Sequence, residues 1–127
     1  MKVNPKQIQA VLTLSPERRF EHFLKVVTDQ ELVWGLYHDG WAMAADDEGV
    51  PAFPLWPREE YAELNAIGEW ESFTPKSISL ADLMGEFLPG FQEKQMLPCI
   101  FLTPGGRGLT PTVEQLREAI NAELQRY

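Results

Sequence analysis

The groups in this 127-residue chain most suited to covalent or acid–base chemistry are one cysteine, Cys99, and two histidines, His22 and His38. A catalytic thiol needs an accessible, thiolate-stabilising setting and a nearby base. Cys99 instead sits inside the apolar run 97–103, and no spacing brings either histidine to it. Its expected role is inert packing. No HxH, HxxxH or Cys–His spacing occurs, so no metal site is expected. Asp46, Asp47 and Glu48 lack the length and spacing of a calcium loop and suit a turn. Glu59, Glu60 and Glu63 fall in the first two turns of a short helix, where negative charge is favourable. Two of them make an acid–base pair only if the fold brings them into a shared cleft. No set of nucleophile, base and orienting group can be assembled, so no catalytic residue and no cofactor is assigned.

Two other features have binding chemistry. Gly105-Gly106-Arg107-Gly108 lies between an apolar run and a helix start, where strand ends and helix N-termini hold anions. The loop lacks the Gly-Lys-Ser/Thr ending of a phosphate loop and is not GxGxxG. Its two readings are a flexible connector and an anion site with Arg107 as the main contact. Trp34, Trp41, Trp56 and Trp70 share the central stretch with Tyr37, Phe53 and Tyr61. Such rings stabilise a core and pair across strands, and they also anchor interfaces. A tryptophan half exposed beside Tyr61 would favour the interface.

Charge narrows the partners. With 11 Lys and Arg against 19 Asp and Glu, the net charge is −8. That excludes the basic footprint of a nucleic-acid binder and discourages docking on an anionic membrane. Residues 1–28 hold five Lys/Arg and two Glu, a net +3, so the remainder carries −11. The N-terminal residues have no apolar stretch of the secretory kind. With a single cysteine, no internal disulfide can form, and a reduced cytoplasm is the expected location. A hydrophobic share of 44% with 24% charged residues is that of a globular chain, and the length suits one domain over residues 1–127.

The elements that must position these groups follow from local signals. Asn4-Pro5 starts a first helix, with Gln7 placed to complete a capping box. Ser15-Pro16 starts a second, whose stripe is Phe20, Phe23, Leu24 and Val27. The pair is expected to form a helical hairpin over a sheet. Asp39-Gly40 predicts a two-residue hairpin between 32–38 and 41–46. In that register Leu36 opposes Met43, Trp34 opposes Ala45 and His38 opposes Trp41. The face bearing Gly35, Ala42 and Ala44 is small enough to floor a groove or admit a helix. Pro51 and Pro54 mark 50–56 as an edge or irregular strand. A short helix over 58–64 and a strand over 69–74 follow. Ser79 caps a helix carrying Leu80, Leu83, Met84, Phe87 and Leu88, ended by Pro89-Gly90. Residues 97–103 read as a central buried strand. Thr110 and Pro111 open the last helix, with Val113, Leu116, Ile120 and Leu124 as its stripe. The class is α+β, a single domain with an antiparallel or mixed sheet covered by helices.

Val33-Trp34-Gly35-Leu36, Asp39-Gly40-Trp41-Ala42, Phe53-Pro54-Leu55-Trp56-Pro57 and Glu60-Tyr61-Ala62 together resemble a family of small bacterial proteins, domain of unknown function 2750. The similarity runs over nearly the whole chain. It implies a bacterial origin and brings no activity, substrate or catalytic residue. The order of a Pro-rich strand, helix, strand and amphipathic helix before an apolar strand is similar, by pattern, to the SseB-type domain of enteric bacteria. The leading expectation is a non-enzymatic protein-binding module. Its surface is expected to combine Trp41, the Trp56-Pro57 corner, Tyr61 and Glu60, facing another protein of basic or apolar character. The alternatives are a small anionic-ligand protein or enzyme working at 105–108, and a structural homodimer.

Overall fold

A computed structural model describes residues 4–126. Lys2, part of the basic lead, lies outside the described residues. The fold is α+β, with short strands in two small sheets. Helix α1 (Pro5–Leu12) starts where Gln7 N donates to Asn4 Oδ1 at 2.8 Å. Helix α2 (Pro16–Gln30) starts where Arg18 N donates to Ser15 Oγ. Both caps satisfy amide groups that have no partner within the helix. Phe23 and Val27 of α2 are fully buried, and α2 packs on strand β1 (Leu32–Tyr37) and on the last helix. Helix α1 buries Val11.

The expected hairpin ladder does not form. Tyr37 bridges Trp41, and His38 N donates to Gly40 O at 2.9 Å, so the connection is a tight three-residue loop. Beyond it the chain leaves β1. Strand β1 pairs antiparallel with β4 (Thr74–Ser79), so Leu36 opposes Pro75 and Trp34 opposes Ser77. The cause lies at Gly35. A Cβ there would sit 2.9 Å from Cε3 and Cζ3 of Trp41, so the glycine lets the indole fold across the strand instead of continuing beside it.

The second sheet runs β2 (Ala44–Ala45), β3 (Pro51–Leu55), β5 (Leu97–Ile100). Strand β3 is therefore central, not an edge, despite its two prolines. It is antiparallel to β2 and parallel to β5. Ala52 and Trp56 face one side, where their partners are Ala44 and Trp34. Pro54 falls between them, where β2 has ended and the facing β1 carbonyl, Leu36 O, already accepts from Ala42 N at 2.8 Å. Pro51 precedes the β5 ladder, which begins at Ala52↔Leu97. Each missing N–H thus points where no acceptor waits. Strand β5 itself is the outer strand of this sheet, shorter than expected.

Helix α3 (Glu59–Leu64) packs on β1 and β4. Residues 68–70 form a 3₁₀ turn, and the expected 69–74 strand lies further on, as β4. In β4 only Ile78 is buried, so its sequence carries little of the apolar alternation that marks a strand. Ser79 Oγ accepts from Asp82 N and opens a continuous helical run: α4 (Leu80–Asp82), a π-helical turn (Leu83–Phe87) and α5 (Leu88–Glu93). Pro89-Gly90 does not end it. The wide turn before Pro89 relieves the ring's clash with the preceding carbonyl. The last helix, α6 (Val113–Leu124), is capped by Thr112 in a box with Gln115, two residues later than the Thr110 start expected. Among the described residues no helix is long and apolar enough to cross a membrane.

Candidate functional site

The aromatic residues divide into a closed cluster and an open one. In the closed cluster Trp56 is 0% and Tyr61 1% exposed. Trp56 Nε1 donates to Leu102 O at 2.8 Å. The Tyr61 ring meets Phe101 edge-on at 4.8 Å, with His22 against both. The Tyr61 hydroxyl is buried and meets no hydrogen-bond partner among the described residues. Burial pushes its pKa up. Burial also pushes the His22 imidazole down, and the charges of Arg58 and Lys25 add to that.

The open cluster is built where the loop after β1, strand β3 and helix α5 converge. Trp41 lies 5.4 Å from Phe53 and 5.8 Å from Phe87, and Phe53 lies 4.9 Å from Phe91. Together with Met43 and Met96 these rings line a groove of about 560 Å³. Gly90 deepens it, because a Cβ built there would meet nothing within 4 Å. Glu86 and Lys94 stand at its rim and are exposed. Behind Trp41 the Lys76 ammonium lies 4.0 Å from the Tyr37 ring centre. Three smaller hollows hold about 180, 190 and 280 Å³. Ligand sites commonly need about 300–1,000 Å³ and apolar walls, so the Trp41 groove is the strongest candidate.

The surface expected at the Trp56-Pro57 corner is not formed. Trp56, Pro57 and Tyr61 are core residues, because β3 and α3 turn those side chains inward and the indole N–H is satisfied by a backbone carbonyl. Glu60 is half-buried on α3 and apart from the groove, and Trp41 alone of that set lines it. Phe53, Phe87, Phe91, Met43 and Met96 were not grouped from sequence as a site. The available signal was Phe87, Gly90, Phe91 and Lys94 at i, i+3, i+4 and i+7, one helix face that ignores the Pro89 stop.

The 105–108 loop is placed differently from the anion cradle anticipated. Residues 109–112 separate it from α6, whose first amides are engaged by Thr112 and Gln115. Arg107 is exposed and pairs with Asp47 at 2.6 Å. Gly108 lies against the Ile100–Leu109 bridge, where a Cβ would sit 2.6 Å from Ile100 O. The loop is clamped from below by Arg19, which is 6% exposed. Its guanidinium donates to Leu14 O at 2.6 Å, Arg107 O at 2.9 Å and Phe101 O at 3.3 Å. Sequence reasoning missed Arg19, although Arg19, Phe23 and Val27 share one i, i+4, i+8 line. Cys99 is buried, and burial pushes its thiol up to about 11, away from thiolate chemistry. Among the described residues no group of three or more His, Cys, Asp and Glu could hold a metal ion.

A family model described as a protein of unknown function, DUF2750, matches residues 20–120. No curated protein and no solved structure matches the chain. The pattern likeness to SseB-type domains gains nothing from these comparisons.

Proposed function

The chain belongs to the DUF2750 family, whose description assigns no activity, and we propose from its own geometry that it is a binding module and not a catalyst. Its docking site is the groove of Trp41, Met43, Phe53, Phe87, Phe91 and Met96. The occupant is an amphipathic helical segment of a partner protein that inserts large apolar side chains. One observation carries this reading: over a floor of buried Phe53 and Phe91, the side chains of Trp41, Phe87, Met43 and Met96 are left partly uncovered around open space. Rings supply rigid anchoring area, and thioethers adapt to varied apolar surfaces. A helix laid in such a groove is a recurrent recognition mode. A net charge of −8 repels an acidic partner. The unpaired, buried Cys99 suits a reducing cytoplasm.

Methionine methyl labelling tests this. Met43 and Met96 line the groove, whereas Met84 packs on the core away from it. Titration with an uncharged-rim amphipathic helical peptide is expected to shift the Met43 and Met96 signals and leave Met84 in place. Gly90→Leu should abolish the shifts by filling the groove, while Leu favours the helix by about 0.5–1 kcal/mol over Gly. No shift at millimolar peptide, or equal shifts in Gly90→Leu, would overturn the reading. Concentration-dependent Met43 and Met96 signals without peptide would replace the partner with a second copy of the chain.

A further inference from the structure

One acid and one base line the groove and bracket its helical apolar residues along the chain, and this fixes what flanks the apolar anchors of the occupant. Glu86 and Lys94 both line the groove and both are exposed. Neither enters any of the ion pairs Arg107–Asp47, Arg117–Glu114 and Arg126–Glu123. Glu86 lies in the π-helical turn and Lys94 caps the end of α5, eight residues on, a separation of roughly 12 Å at about 1.5 Å per residue. Between them, Phe87, Gly90 and Phe91 supply the apolar floor. Lys76, the other cation near the Trp41 ring, stands over Tyr37 at 4.0 Å and is 5.5 Å from Trp41.

We infer that the groove selects a dipolar helix: apolar anchors bracketed by one basic and one acidic residue two turns apart, the base meeting Glu86 and the acid meeting Lys94. This rests on the groove being a docking site, as proposed above. A helix with acids at both ends would leave Glu86 facing like charge, and one with bases at both ends would do so at Lys94. Opposite rim charges thereby discriminate by repulsion as well as attraction. The recognition is a matter of charge order, independent of the overall acidity of the chain, which would by itself favour a wholly basic segment.

The test uses four helical peptides with the same apolar positions and different rims: Lys/Glu, Lys/Lys, Glu/Glu and Gln/Gln, each two turns apart. Binding is read from the Met43 and Met96 methyl signals. The Lys/Glu peptide is expected to bind about threefold to tenfold tighter than Gln/Gln at low salt, with the difference shrinking as salt rises. Glu86→Lys should move the preference to Glu/Glu, and Lys94→Glu should move it to Lys/Lys. Both positions are exposed, so each variant should keep its fold, checked by far-ultraviolet circular dichroism. If all four peptides bind alike to the native chain, or Lys/Lys binds best, the charge-order inference is overturned while the docking groove stands. If none binds, the groove reading falls and the inference falls with it.

Discussion

The two aromatic clusters draw on the same stretch of chain, and they differ in what surrounds their rings. Trp56 at the end of β3 has an acceptor for its N–H in Leu102 O and is wholly enclosed. Trp41, in the loop after β1, sits over Gly35 and against Phe53 and Phe87, with one side facing the groove. The closed cluster is backed by α2, α3 and the turn at 101–102, so the rings of Trp56, Tyr61 and Phe101 are wholly covered and His22 is half-buried beside them. In the open cluster Phe53 and Phe91 are buried as a floor, while Trp41 and Phe87 are only partly covered beside Gly90, which withholds a side chain. Aromatic density therefore does not decide between core and surface. What decides is whether a second layer of chain arrives to cover the rings.

The largest way to break that distinction is to truncate one tryptophan from each cluster. Trp56→Ala should cost about 3–5 kcal/mol, because a fully buried ring leaves a cavity and an unpaired carbonyl. Trp41→Ala should cost about 1–2 kcal/mol, in line with a half-covered ring, and should weaken peptide binding at the groove. Urea unfolding of both variants measures the contrast. Equal costs would mean that Trp41 is a core residue and that the groove is a packing fault.

What could be read in advance follows the same line between local and non-local. Asn4, Ser15 and Ser79 were identified as caps from sequence, since a cap and its amide lie within three residues of each other. The pairing of β1 with β4 could not be read this way. Asp39-Gly40 offered a nearer partner, and β4 carries Pro75 and one buried residue as its whole signature. The centrality of β3 was hidden by a sound rule applied without the neighbours. Its prolines do forbid full pairing, but β2 is only two residues long and β1 meets this segment only at the Trp34–Trp56 bridge, which leaves the gap they need. The surface expected at Trp56 and Tyr61 gives way to their other reading, core packing, because residue type suits rings to both and only the non-local cover over them decides.

A middle-sized effect separates the clusters by pH. His22 belongs to the closed cluster, and its folded pKa lies below the ordinary value of 6.5 through burial, with Arg58 and Lys25 adding to the shift. The unfolded chain then binds the proton more readily, so stability contributed by His22 is present above pH 6.5 and falls as pH drops below it. Stability measured from pH 7.5 downward should decline through this window more steeply in the native chain than in His22→Gln. The Tyr61 and Phe101 ring signals should move with it, while Met43 and Met96 stay put. Movement at the methionines would show that the two clusters open together.

The smallest effect is expected at Arg107, outside both clusters. Its pair with Asp47 is three-quarters exposed on each side, 77% and 76%. Such pairs gain little over water. The turn it touches is already held by Asp46, whose carboxylate accepts from Glu48 N and Val50 N. The loop itself is held by Arg19 and by the Ile100–Leu109 bridge. Arg107→Ala should therefore change stability by less than about 0.5 kcal/mol. Phosphate at millimolar concentration should leave the Arg107 amide unmoved, since the neighbouring carboxylate already occupies the cation. A loss above about 1 kcal/mol would mean that Asp47 and Arg107 tie the turn after β2 to the 105–108 loop. Met43 lies just before β2, so the groove would then depend on a contact made beside the closed cluster, and the two could no longer be treated as separate parts of the molecule.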